Sequence, residues 1–145
     1  MAIEGGRFWF KSSLFDIEPG EDEEINPRLY GKQLAKWLAD KLRGCGYEPT
    51  VINEDWGRCI MCKRDPVWLW VGCGNVDLDF PERPMTHPNK EEIVWHCFVI
   101  CQIPFWKRLF KKVNGEPFVQ KLTDQLSSIL RAESQIEFVE EQDLD

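Results

Sequence analysis

The stretch Glu54-Asp55-Trp56-Gly57-Arg58-Cys59-Ile60-Met61-Cys62-Lys63-Arg64-Asp65-Pro66-Val67-Trp68-Leu69-Trp70-Val71-Gly72-Cys73-Gly74 decides the fold. β-Branched and aromatic residues crowd both arms and a proline sits at the break. It reads as two adjacent strands joined by a turn at Arg64-Asp65-Pro66. Trp68 and Trp70 share one face of the second arm, and Val67, Leu69 and Val71 the other; both sets are expected in the core. The first arm opens on two acids and a tryptophan, and the stretch holds three of the six cysteines.

Upstream, Arg7 to Phe10 and Phe15 to Ile17 read as an opening strand or strand pair. Asn26 is placed to cap a helix and Pro27 to begin it. Tyr30, Leu34, Trp37, Leu38 and Leu42 then recur on one helical face until Gly44-Cys45-Gly46 ends the run. Thr50-Val51-Ile52 leads into the hairpin as a short strand. Downstream, residues 76–92 are polar and proline-rich, a loop long enough to be a binding element. Ile93 to Ile103 is apolar on both faces, the pattern of a central strand covered on each side, and Pro104 stops it. A second helix is expected from about Glu116-Pro117 to Ala132, with Phe118, Leu122, Leu126, Ile129 and Leu130 on one face. Ile136 to Val139 is expected at a sheet edge. Strands grouped between two helices predict an α+β domain over 1–145: a mostly antiparallel sheet of about five strands, two main helices packed on it, and an acidic tail from about 140.

At 145 residues and 43% hydrophobic composition, the chain can bury a core without disulfides or metal. No apolar run is long enough to span a membrane, and the N-terminus has no export signal, so the cytosol is the expected compartment and the cysteines are expected as reduced thiols. The net charge of −7 is segregated. Asp16 to Glu24 and Glu133 to Asp145 carry six acids each and no Lys or Arg, leaving the rest of the chain basic. That pattern argues against nucleic acid as the ligand and for a basic protein partner.

Cys59-x-x-Cys62 has zinc-ligand spacing, and Cys73, His96, Cys97 and Cys101 are available to complete a site. Strand alternation, however, sends residues three apart to opposite faces, so buried thiols are expected and no cofactor or metal. Pairing His87 or His96 with a cysteine as base and nucleophile lacks a motif. The pair Glu54-Asp55 is available for acid–base chemistry, although adjacent carboxylates at a turn are common. A small enzyme or metal protein using Glu54, Asp55, His96 and the cysteines is therefore the alternative reading. The cationic run from Lys107 to Lys112 carries too few charges to indicate lipid or nucleic acid. Glu21, Asp22, Glu24, Glu54, Asp55 and Trp56 are the expected partner contacts, a tryptophan anchor with an acidic surround.

Two segments resemble a group of small uncharacterised bacterial cytosolic proteins: Asp16-Ile17-Glu18-Pro19-Gly20-Glu21-Asp22-Glu23-Glu24 with Asn26-Pro27 and Tyr30-Gly31, and Glu54-Asp55-Trp56-Gly57 with Leu69 to Gly74. The resemblance implies a single-domain bacterial protein and names no reaction. In general composition the chain is also similar to immunity proteins of toxin systems, which implies a non-enzymatic inhibitor of a basic toxin such as a nuclease.

Overall fold

The structure, a computed structural model, describes residues 2–76, 88–110 and 113–144, with backbone alone at 108–110. Residues 77–87, and with them most of the proline-rich loop and His87, lie outside the described residues, as do the side chains of the cationic run beyond Lys107. The fold is α+β. In chain order the elements are β1 (Ala2–Ser12), α1 (Glu21–Glu24), α2 (Lys32–Gly44), β2 (Thr50–Glu54), β3 (Gly57–Lys63), β4 (Trp68–Val76), β5 (Val94–Gln102), α3 (Phe105–Phe110), α4 (Glu116–Ala132) and β6 (Ile136–Phe138).

The strands form one antiparallel sheet in the order β2-β3-β4-β5-β1-β6, one strand more than the sequence predicts. The hairpin from Glu54 to Gly74 supplies its β3–β4 pair. β5 is central, between β4 and β1, as expected, but both long helices lie on one of its faces, so the expectation of a helix layer on one side and a second cover on the other is met only on the helix side. β6 is the expected edge strand beside β1.

Both long helices pack on the same face of the sheet. Leu34, Leu38 and Leu42 of α2 and Leu122, Leu126 and Leu130 of α4 meet Val71, Cys73, Cys97 and Val99 in one buried cluster. Pro117 sits in the first turn of α4, where its missing N–H costs nothing, and the helix occupies the span its apolar spacing predicts. Helix α2 begins later than predicted. Asn26 and Pro27 lie in the preceding loop, and Gly31, at φ 120°, is the residue before the first turn. Tyr30, expected on the helix, is a buried anchor just ahead of it, its N–H donating to Asn75 Oδ1 at 2.9 Å.

Candidate binding face

Alternation along β4 and β5 sends Leu69, Val71, Cys73, Trp95, Cys97, Val99 and Cys101 to the helices. The intervening residues face the other way, away from α2 and α4, where Trp70, His96 and Phe98 are half-buried and Cys59, Val94 and Ile100 buried. A row of rings occupies this face. Trp9 of β1 and His96 of β5 are register partners and stack with centroids 4.7 Å apart and planes 3° from parallel. His96 is 5.0 Å from Phe98; Phe98 lies 5.5 Å from Trp56 and 6.0 Å from Trp70; Trp56 and Trp70 are 5.7 Å apart. The expectation that Trp68 and Trp70 are core residues is corrected: Trp68 is 44% exposed and Trp70 half-buried, because the helices occupy the opposite face.

One glycine of β4, Gly72, makes room for this row. Gly72 pairs with Phe98 and Gly74 with His96. A Cβ on Gly72 would come within 2.3–2.8 Å of Phe98 ring atoms, so the ring lies on bare backbone. Trp56 reaches the row from the turn between β2 and β3, which Asn26 clamps by donating from Nδ2 to the Asp55 carbonyl at 2.8 Å. At the turn's far end Gly57, φ 153°, passes so close to the Cys73 carbonyl that a Cβ would lie 2.6 Å from the oxygen. Trp56 remains 42% exposed, with Glu54 and Asp55 exposed beside it. In register, Glu54 falls on the same face as Ile52, opposite Cys59 and away from the helix-side core.

The other expected contacts do not join this corner. Glu21 is 1% exposed and faces inward, its carboxylate accepting the backbone N–H groups of Glu18 at 3.2 Å and Lys32 at 3.1 Å. The second bond satisfies an orphan donor at the start of α2, so this side chain does the capping work expected of Asn26. Burial still pushes the Glu21 carboxyl above its ordinary value, against the two N–H donors. Its place among partner contacts is therefore corrected: a buried carboxylate that accepts two backbone N–H groups is not at the surface to meet a partner. Glu24 accepts from Lys32 Nζ at 2.7 Å and from the buried Arg58 at 3.3 Å. Together these residues line a groove between α2 and β2, on the helix side of the sheet, with Asn53 and Asp40. Lys32 beside Glu24 holds its carboxyl below the ordinary value. Asp22 is half-buried on α1. Asp16, also in the acidic segment, is paired with Lys90 at 2.8 Å. Three of the six acids, Asp16, Glu21 and Glu24, are thus engaged by the chain itself.

The residues of the alternative reading are dispersed. Cys62 and Cys73 belong to the helix-side core, whereas Cys59 pairs with Gly72 on the other face, as alternation predicts. Burial pushes the Cys59 thiol up to about 11 and those of Cys62 and Cys73 up to about 12, and holds Cys97 well above its ordinary value. These sulfurs are thiols at neutral pH and poor nucleophiles. Burial and the nearby Arg7 lower His96 to about 4, so the imidazole in the ring row is uncharged, and its Nε2 has no partner among the described residues. Among the described residues no three His, Cys, Asp or Glu side chains converge as a metal site, and no helix is long and apolar enough to cross a membrane.

Sequence reasoning missed the ring row, although its signal was present: aromatic residues at alternate positions of β4 and β5, and glycines at 72 and 74 on the same face. Comparison of the chain with protein-family models, curated protein sequences and solved structures found no match.

Proposed function

We propose that this chain is a non-enzymatic protein-binding module that docks a basic protein on the sheet face away from its helices, and most concretely an immunity protein that neutralises a basic toxin such as a nuclease. The observation that carries the reading is the continuity of the ring row with the exposed corner Glu54-Asp55-Trp56. Aromatic anchors ringed by charge are the composition of an energetically dominant interface centre. A face built on β-strands and clamped at its turn loses little freedom on binding, which favours affinity. The toxin in the proposal comes from the likeness in size and acidity to immunity proteins; the sheet face supports a protein partner more generally.

The test is co-expression with the protein encoded beside this one, followed by affinity capture at low and raised salt. Binding that weakens with salt, and about thirty-fold in Trp56→Ala as expected for a loss of about 2 kcal/mol at a central tryptophan, supports the reading. A thermal melt of the variant shows that the loss is not unfolding. Capture indifferent to both salt and Trp56 would count against docking at this corner.

A further inference from the structure

We propose that the partner residue received at this corner is an arginine, its guanidinium lying on the Trp56 ring and donating to the carboxylates of Glu54 and Asp55. The proposal rests on the ring-bearing face being the docking surface, and it narrows that reading to one side chain.

The acids on the two faces of the sheet differ in what they already hold. Glu4 is paired with Arg7 at 3.1 Å, and Glu24 with Lys32 and Arg58. Among the described residues nothing donates to the side chains of Glu54 or Asp55, although the Asp55 carbonyl is fixed by Asn26. Two exposed acids therefore precede an exposed tryptophan on a turn closed by the Glu54–Gly57 strand pair and tied to Asn26 through the Asp55 carbonyl. Trp70 and Phe98 pack against that indole from the sheet, at 5.7 and 5.5 Å, and it stays 42% exposed.

Such a site discriminates by chemistry. An apolar side chain placed on Trp56 would desolvate the two carboxylates without pairing them, which is costly. A phosphate would meet two negative charges. An ammonium satisfies the charges but is compact and strongly hydrated. A guanidinium is planar and weakly hydrated, stacks on indole, and presents five donors in a fork that matches carboxylates. Arginine alone uses both halves of the corner.

The experiment is a titration of the full chain, labelled with nitrogen-15, by acetyl-Gly-Arg-Gly-amide, with the lysine and citrulline tripeptides in parallel. The Trp56 indole N–H is assigned from the spectrum of Trp56→Phe. The expected result is a saturable shift of that signal by the arginine tripeptide, several-fold weaker binding of lysine, and no saturation by citrulline, which keeps the shape and loses the charge. Glu54→Gln with Asp55→Asn should weaken the arginine tripeptide about tenfold. An unmoved Trp56 indole, citrulline equal to arginine, or a double variant that binds undiminished would each overturn the proposal. If the neighbouring protein is captured through Trp56 while the indole ignores the arginine tripeptide, the docking reading stands and the arginine proposal fails; arginine seated on Trp56 without capture of the neighbour gives the reverse.

Discussion

Burying a carboxylate is unfavourable unless donors meet it, and the Glu21 oxygens are met by the N–H groups of Glu18 and Lys32. Glu21→Ala removes both acceptors and takes this partner from the amides of Glu18 and of Lys32 at the start of α2, so it should destabilise the fold by about 2 kcal/mol in urea unfolding at neutral pH. Glu21→Gln keeps one acceptor and discards a buried charge whose pKa is already raised, so it should stay within about 1 kcal/mol of the parent. Equal losses in the two variants would show that the carboxylate's charge, and not its acceptors, stabilises α2. His96 gives the residue scale a pH signature. Its folded value of about 4 lies below the ordinary 6.5, so the unfolded chain takes up the proton first. The stability contributed by neutral His96 is complete above about pH 6.5 and is lost as pH falls through about 4, by at most about 3 kcal/mol. His96→Phe preserves the stack on Trp9 and cannot protonate. Unfolding midpoints from pH 7 to 4 should fall less steeply in this variant, and parallel curves would mean that His96 is not the group titrating.

At the scale of elements, two glycines hold the corner and the ring row in place by different means. Gly57 meets a backbone oxygen, that of Cys73, and has a φ that side chains resist; Gly72 meets the Phe98 ring. Backbone in a paired strand cannot yield, whereas a ring can turn aside. Gly57→Ala should therefore cost more than about 2 kcal/mol, and Gly72→Ala about 1–2 kcal/mol. In a Phe98→Ala background the Gly72 penalty should largely vanish while the Gly57 penalty persists, a double-mutant cycle measurable by urea unfolding. A Gly72 penalty unchanged by loss of the ring would mean that the strand pairing itself demands glycine there. The same elements show what sequence can and cannot convey. The span of α4 was legible because Pro117 and the leucine spacing are local signals. The start of α2 was not, since its first amide is satisfied by Glu21, eleven positions upstream and held there by tertiary structure. For the hairpin, alternation correctly separated Cys59 from Cys62 and put Trp68 and Trp70 on one face. Whether that face is covered depends on where α2 and α4 settle, and periodicity within a strand carries no information on that.

For the whole molecule the decisive property is where the charge lies, not how much there is. The acidic tail follows β6 at one edge of the sheet, and Glu54 ends β2 at the other. Five strand spacings of about 4.8 Å separate those edges, roughly 24 Å, against a screening length of about 8 Å at physiological salt. Charge in the tail is thus largely screened from Trp56, although it supplies much of the net −7 on which a basic partner was first inferred. Within the acidic segment before α2, Asp16, Glu21 and Glu24 are engaged by the chain itself. What remains at the corner is local: Glu54, Asp55 and the rings beside them. Deleting residues 140–145 removes four acids and brings the net charge to −3. If the corner acts locally, the truncated chain should bind the arginine tripeptide at the Trp56 indole within about twofold of the parent at 0.15 M salt, whereas neutralising only Glu54 and Asp55 should cost about tenfold. If instead the protein attracts cations as a uniformly negative body, the order reverses, because four charges lost outweigh two. A truncation that weakens the Trp56 titration more than the Glu54→Gln, Asp55→Asn pair does would therefore move the recognition from this corner to the molecule's net charge.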